Sequence, residues 1–204
     1  ITILLILYLS SVSFAQIIVN KKIYKVNFSN ELHVPRWVSY SLKDGGGPCD
    51  REKEGFRFKN DRPDLLCAKD GDYSKSGYEK GHLVNAEDFA FDCKKEELTF
   101  RYYNCIPQTF SANHHVWLKY ETEIRKWSKD QKLYIICGGY FKGKKMGKKK
   151  DIAVPDWCWK VVQSYKTKEV LFCGIFTNEK ESVYTPLTIA QLEKKLKSKI
   201  ILLK

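Results

Sequence analysis

Residues 77–89 read Gly-Tyr-Glu-Lys-Gly-His-Leu-Val-Asn-Ala-Glu-Asp-Phe, and His82 is the side chain among them that titrates near neutral pH. Gly81, directly before it, lets the backbone approach a neighbour or a ligand closely. A histidine among aromatic and aliphatic residues is more often a hydrogen-bonded structural residue than a catalytic base. This stretch alone therefore leaves both interpretations of His82 open.

The length and charge of the chain narrow the class of protein. A chain of 204 residues with 43% hydrophobic and 14% aromatic residues is typical of one packed domain. Lys and Arg total 36 against 24 Asp and Glu, which gives a net charge of +12. Such a charge favours a polyanionic partner, either nucleic acid, an anionic cell surface or an acidic polysaccharide, with simple solubility charge as the alternative.

The first residues resemble a targeting segment. Residues 1–15 carry no charge, and their apolar run is followed by small residues at Ser13 and Ala15, as at a signal-peptide cleavage site. The run is shorter than the ~20 residues that span a bilayer. We therefore expect a signal peptide at 1–15, a single domain at 16–204, a secreted or periplasmic location and no stable membrane association after cleavage.

The seven cysteines predict disulfide bonds. No two of them form a Cys-x-x-Cys pair, and the four histidines offer no zinc-ligand spacing. Together with the predicted signal peptide, the count favours disulfides formed in an oxidising compartment. The odd number leaves at least one thiol free or paired between chains.

The order of the predicted elements indicates an α+β fold with a central, mainly antiparallel sheet flanked by helices. A Thr-x-x-Gln capping box predicts that the last helix begins at Thr188. The basic loop 142–150 is interpreted as surface charge that could also meet phosphates. Apolar alternation and β-prone composition predict strands at 22–28, 37–42, 98–105, 132–137, 157–165 and 170–177, and a helix is predicted at 113–126.

The predicted central helix carries four functional side chains at steps of four: Asn113, Trp117, Glu121 and Arg125. Each step drifts by only ~40° around a helix, so the four share one face. An exposed stripe with a Glu121–Arg125 ion pair, worth a few tenths of a kcal/mol, is the alternative. That alternative accounts for the last two residues and leaves the first two unexplained.

These residues resemble the DNA/RNA non-specific endonuclease family. The resemblance rests on Lys80-Gly81-His82-Leu83, on Asn104-Cys105-Ile106-Pro107-Gln108 and on the four helical residues, with the family's spacing throughout. Val154-Pro155 and Trp159-Lys160-Val161-Val162 extend it over most of the chain. It implies a ββα-metal active-site motif, DNA and RNA substrates, cleavage without sequence specificity and 5′-phosphate products.

The resemblance also implies roles for individual residues. His82 would be the general base that activates water, and Asn113 the direct ligand of Mg²⁺, with Mn²⁺ as the alternative ion. Histidine titrates near working pH and so suits the base role, and Mg²⁺ keeps most of its waters, so that few protein ligands suffice. The other implied site residues have three roles. Glu121 would hold a metal-bound water, and Lys80, Arg125 and Arg57 would contact the scissile phosphate. Asn104 would support the site.

Two departures from the family pattern qualify this expectation. Glu79-Lys80 stands where the family has Asp-Arg, and a lysine cannot make the bidentate contact of an arginine with phosphate. We expect reduced but persisting activity. A cysteine directly after Asn104, here Cys105, is unusual in this pattern, and we expect it to form a disulfide.

Two other functions remain open. One is a non-catalytic homologue that binds nucleic acid or another polyanion. The other is a secreted toxin or effector nuclease with a dedicated inhibitor. The sequence leaves the oligomeric state unknown.

Overall fold

The computed structural model describes residues 16–149 and 151–204, so the predicted signal peptide lies outside the described residues. A seven-stranded sheet forms the framework, and every neighbouring pair of its strands is antiparallel. The strands are β1 Ile17–Asn20, β2 Tyr24–Ser29, β3 Val34–Leu42, β4 Glu79–His82, β5 Cys105–Gln108, β6 Leu133–Tyr140, β7 Lys145–Met146, β8 Ile152–Ala153, β9 Trp157–Ser164, β10 Val170–Thr177 and β11 Tyr184–Pro186. The large sheet has the order β1-β2-β3-β6-β9-β10-β11, whereas β4 pairs with β5 and β7 with β8.

The helices lie between and after these strands. The α-helices are α1 Asp70–Tyr73, α2 Cys93–Thr99, α3 Leu118–Asp130 and α4 Ile189–Leu196. A π-helix, Ser111–Trp117, leads directly into α3, and short 3₁₀ turns occupy Glu87–Phe89 and Tyr102–Asn104.

Both faces of the large sheet are covered, because its central strands are apolar on both sides. Along β6, Ile135 and Cys137 point into the larger core, while Ile136 between them points to the smaller one. Successive side chains of a strand alternate in this way. The larger core includes Trp117 and Ile124 from the long helix, and the smaller one includes Leu192 from α4. The α3 side therefore carries the β4–β5 hairpin and the candidate site.

The predicted fold class is confirmed: an antiparallel sheet with flanking helices. The prediction that the last helix begins at Thr188 is also confirmed, since the Thr188 hydroxyl accepts from the backbone N–H of Gln191 and the Gln191 side chain accepts in return from that of Thr188. The predicted central helix 113–126 is longer than expected, because the π-helix starts at Ser111 and α3 ends at Asp130.

The predicted strand at 98–105 is wrong. The Asp92 carboxylate accepts hydrogen bonds from the backbone N–H groups of Lys94 and Lys95 and so caps α2, which runs to Thr99. A 3₁₀ turn follows, and the strand begins only at Cys105. The β-prone aromatic residues of this stretch therefore fill the core between a helix end and a turn, so tertiary packing overrides their local preference.

One disulfide bond confirms that the cysteines of this chain support disulfide bonding. Cys49 and Cys93 are bonded, which ties the loop after β3 to the start of α2. The expectation of a bonded Cys105 is wrong: its buried thiol donates to the backbone carbonyl of Tyr102 at 3.4 Å. The remaining free thiols, all buried, are those of Cys67, Cys137, Cys158 and Cys173.

No helix within the described ranges is both long enough and apolar enough to cross a membrane.

Candidate active site

The candidate site begins at the β4–β5 hairpin, which displays His82 at the end of its first strand. His82 pairs with Cys105, and Gly81 pairs with Ile106. A Cβ atom on Gly81 would lie 1.8 Å from the Gln108 side-chain oxygen and 2.4 Å from its Cδ. No other residue fits there unless Gln108 moves, so the glycine lets the two strands approach and fixes the position of the histidine beside it.

The His82 ring lies between two aromatic rings. The Phe58 ring centre is 4.8 Å away and the Phe100 ring centre 4.9 Å away. Nε2 of His82 exposes less than 1 Å² and has no hydrogen-bond partner among the described residues. Burial, together with the smaller effect of the positive charges of Arg51 and Lys80, lowers the pKa of His82 to about 3. The imidazole is therefore neutral at neutral pH.

Asn113 faces this hairpin from the π-helix. Its Nδ2 donates to Oε2 of Glu79 at 3.0 Å, while its Oδ1 accepts no hydrogen bond within the described part of the chain. His114 Nε2 lies 2.9 Å from the same Glu79 oxygen. The Asn178 carboxamide secures the entry to this helix by accepting from the Thr109 backbone N–H at 2.8 Å. Wide π-helical turns are frequent at functional sites.

Glu121 is buried one helical segment further on. Its Oε1 lies 3.3 Å from Nζ of Lys160, which is only 1% exposed, and its Oε2 accepts from the Asn85 carboxamide. Asn85 in turn accepts from the Arg125 guanidinium at 3.1 Å, and Arg125 also donates to Asp88 at 3.1 Å. Glu121 and Arg125 thus do not form the exposed ion pair that the alternative interpretation of the helix predicted. Three of them contact the stretch 77–89.

Arg125 does not present a free guanidinium for phosphate. Its side chain is only 14% exposed, and it is hydrogen-bonded to Asp88 and Asn85. The implied phosphate contact stays a prediction, and it would require Arg125 to use its remaining amino group or to exchange one of these hydrogen bonds. Arg125 orients Asn85, and Asn85 orients Glu121.

The two cations whose charges lower the pKa of His82 are Lys80 and Arg51. Lys80 forms an ion pair with Asp70 of α1 and lies 5.0 Å above the Phe58 ring centre. Arg51 is half-exposed, 3.0 Å from Glu87. Arg57 is exposed and donates only to the carbonyl of the neighbouring Phe56, so no contact joins it to the other candidate residues.

Asn104 supports the site from inside. Its fully buried carboxamide donates to the carbonyls of Val84 and Thr99 at 3.1 and 2.9 Å and accepts from the Val84 N–H at 3.0 Å. All of its partners are backbone groups. Asn104 is therefore a positioning residue that fixes the chain two residues beyond His82.

The donor set fits a hard divalent cation. The free oxygen of Asn113 is a carboxamide, and the neighbouring charge comes from the carboxylates of Glu79 and Glu121. Such oxygen donors suit Mg²⁺, Mn²⁺ or Ca²⁺ better than zinc. Among residues 16–149 and 151–204, no three His, Cys, Asp or Glu side chains group into a metal site. An ion here would therefore keep most of its coordination for water and substrate oxygen atoms.

Several residues of the site escape sequence reasoning. Asn85 and Asp88 lie in the stretch quoted first, where the available signal was a polar side chain among apolar ones. The structure shows both to be buried. Lys160 lies in a strand of apolar residues, which is an unusual place for a lysine. Arg51 carries no pattern that distinguishes it from other surface arginines.

Comparisons with known proteins show which family the sequence matches. The family model described as DNA/RNA non-specific endonuclease matches residues 7–195. The "Nuclease EXOG, mitochondrial" of Danio rerio is 28% identical over 167 residues, which cover 74% of this chain and 49% of that protein. "Nuclease C1" of Cunninghamella echinulata var. echinulata is 28% identical over 184 residues, covering 81% and 73% respectively. The chain thus spans about half the length of the Danio relative.

A solved structure shares the fold. The crystal structure of the EndoG/EndoGI complex aligns with a TM-score of 0.74 at 21% identity and covers 88% of this chain and 83% of that one. At this identity the match concerns the fold alone.

The relatives also correct one expectation. The Danio relative is named as mitochondrial, so the prediction of a secreted or periplasmic location is wrong.

Proposed function

The chain belongs to the DNA/RNA non-specific endonuclease family, and from that premise we propose that it hydrolyses phosphodiester bonds of DNA and RNA without sequence preference. Members of this family are metal-dependent nucleases. The observation that carries the proposal is the meeting of the helix with the stretch 77–89. Asn113 contacts Glu79 at 3.0 Å, and Glu121 and Arg125 both contact Asn85, next to a neutral His82.

His82 acts as the general base in this proposal. Its low pKa keeps the ring neutral with a free lone pair, and the negative charge of a bound phosphate would raise that pKa toward the working pH at which a general base is most effective. Nε2 is enclosed, so Nδ1 is the ring nitrogen that can reach a water molecule. The proton of the attacking water passes to Nδ1, the water oxygen bonds to phosphorus, the P–O3′ bond breaks, and the leaving O3′ oxygen takes a proton from a solvent water molecule. The products are a 5′-phosphate and a 3′-hydroxyl end.

Asn113 would hold Mg²⁺ through Oδ1, and Mn²⁺ is the alternative ion. When bound, the ion supplies positive charge for the phosphate and the leaving oxygen. Glu79 fixes the carboxamide by accepting from its nitrogen, which leaves the oxygen as the group available to a cation. Glu121, held by Lys160 and Asn85, supplies the negative charge behind it.

Lys80 and Arg51 would bind the substrate phosphates. Lys80 lies two residues before His82, and the positive charges of both residues lower the pKa of that ring. Lys80 must exchange its contact with Asp70 for a phosphate, so Asp70 competes with the substrate. Contacts of this kind go to the backbone of the nucleic acid and carry no sequence information directly.

The test is nicking of supercoiled plasmid and digestion of RNA in the presence of Mg²⁺. We expect cleavage that EDTA stops and that His82→Ala and Asn113→Ala reduce by at least about a hundredfold, the lower end for a general base. His33→Ala is the matched control, since His33 only contacts a loop carbonyl and Asp151. Absence of cleavage of both substrates by the wild-type protein contradicts the proposal.

A second candidate function is binding of nucleic acid without cleavage. The Lys80–Asp70 ion pair favours it, because a lysine held by a carboxylate is less available to a scissile phosphate. It predicts salt-dependent binding of DNA with no turnover at any Mg²⁺ or Mn²⁺ concentration.

A further inference from the structure

Phe110 forms an exposed aromatic surface beside the candidate site. It directly precedes the π-helix, and 57% of it is exposed. Its ring stacks on His114, with ring centres 4.5 Å apart and planes inclined by 15°. His115 meets it edge-on at 5.3 Å. The ring is thus held in one orientation by two neighbours while much of it faces solvent.

A surface hollow of about 450 Å³ lies next to this ring. Phe110 and His115 line one part of it, and Lys180 and Glu181 line another. Hydrogen bonds fix the floor, since the Ser182 N–H donates to the Ser111 hydroxyl at 3.0 Å and the Thr109 hydroxyl donates to the Glu179 carbonyl at 2.8 Å. The hollow therefore combines an aromatic wall, a cation and a tethered loop.

The hollow is coupled to the reacting centre through Glu79. One oxygen of that carboxylate, Oε2, is 2.9 Å from His114 and 3.0 Å from the carboxamide nitrogen of Asn113. His114 carries the Phe110 ring, and Asn113 is the proposed metal ligand. If a substrate phosphate lies at Asn113, the base of the adjacent nucleotide can therefore reach the Phe110 ring.

We propose that Phe110 and this hollow form a nucleobase subsite, in which an unpaired base next to the scissile phosphate stacks on the Phe110 ring while Lys180 meets the adjoining phosphate. The proposal rests on the proposed function. Every base has a π-face, so stacking adds affinity without sequence preference. A base inside a duplex has no free face, so the subsite favours single-stranded and frayed substrates.

The test measures binding of two fluorescein-labelled single strands in EDTA, where no turnover occurs. One is a short oligothymidylate, and the other is an abasic oligomer of equal length and charge. Phe110→Ala should weaken binding of the oligothymidylate by about tenfold, as expected for the loss of one stacked base, and leave the abasic oligomer unchanged. Phe110→Trp should retain the wild-type affinity. The matched control is Tyr165→Ala, an aromatic residue 37% exposed just beyond the far end of β9.

Each outcome separates this inference from the proposed function. Equal losses on both oligomers, or no loss on either, overturn the subsite. If wild-type protein cleaves plasmid but Phe110→Ala binds like wild type, only the subsite fails. If the wild-type protein cleaves neither DNA nor RNA, the proposed function fails.

Discussion

Replacing Lys160 with methionine tests the buried ion pair beneath the candidate site. Lys160 lies on β9 and is 1% exposed, with Nζ 3.3 Å from Glu121 Oε1 and 4.0 Å from the Trp117 ring centre. Methionine retains most of the aliphatic volume and removes the charge. Glu121, only 5% exposed, is then left as a buried carboxylate with the Asn85 carboxamide as its remaining partner.

The expected cost of Lys160→Met is about 3–5 kcal/mol in the free energy of unfolding, because breaking a buried pair leaves an uncompensated charge. For a domain of this size, that corresponds to a drop in Tm of about 10 °C. The matched control is Lys126→Met. Its ammonium lies 2.8 Å from Glu123 in an exposed pair, which should contribute less than about 1 kcal/mol.

Urea unfolding of a double-mutant cycle measures the coupling. Glu121→Gln combined with Lys160→Met removes both charges, so the double variant should be more stable than Lys160→Met alone. A loss of less than about 1 kcal/mol for Lys160→Met would refute the reasoning. Additive losses in the cycle would do so too, since they would mean that the two side chains do not interact.

Three further outcomes follow from the structure. The pKa of His82 is about 3 in the folded protein and 6.5 in the unfolded chain, so only the unfolded chain gains a proton as the pH falls below 6.5. At about pH 5 the wild type should therefore have lost about 2 kcal/mol more of its free energy of unfolding than His82→Asn, as measured by urea unfolding at each pH. Replacing Cys49 and Cys93 with serine opens a loop of 44 residues and should cost about 4 kcal/mol, while dithiothreitol should lower the urea midpoint of the wild type and not that of the variant. Gly81→Ala should abolish cleavage, because the new methyl group overlaps the Gln108 side chain. Adding Gln108→Ala to the same chain should restore part of the rate. A Gly81→Ala variant with wild-type activity would contradict this packing between β4 and β5.

Local patterns predicted those features that neighbours in sequence determine. The Thr188 capping box involves residues three positions apart, and the apolar, β-prone runs of β2, β3, β6, β9 and β10 reflect the burial of these strands on both faces. The pairing of His82 with the helical face was accessible because a family spacing links the two segments. It could not be obtained from either segment alone.

Features set by distant partners were missed. The ion pair of Lys160 with Glu121 joins residues 39 apart, and the strand pattern around Lys160 shows only that it is surrounded by apolar residues. The family resemblance implies a phosphate contact for Arg125, and nothing in the sequence indicates that Asp88 and Asn85 accept hydrogen bonds from its guanidinium. The π-helical turn before α3 has no simple signature in sequence, so the predicted helix began two residues late.

The single oxygen atom of Glu79 that serves both Asn113 and His114 has an evolutionary consequence. A substitution at Glu79 would disturb Asn113, the proposed cation ligand, and the support of the Phe110 ring together. Selection therefore acts on both through one site, and the two properties cannot drift independently. Among descendants of this sequence, we expect changes at position 79 to be accompanied by changes at position 114, while Phe110 itself is free to exchange with other aromatic residues.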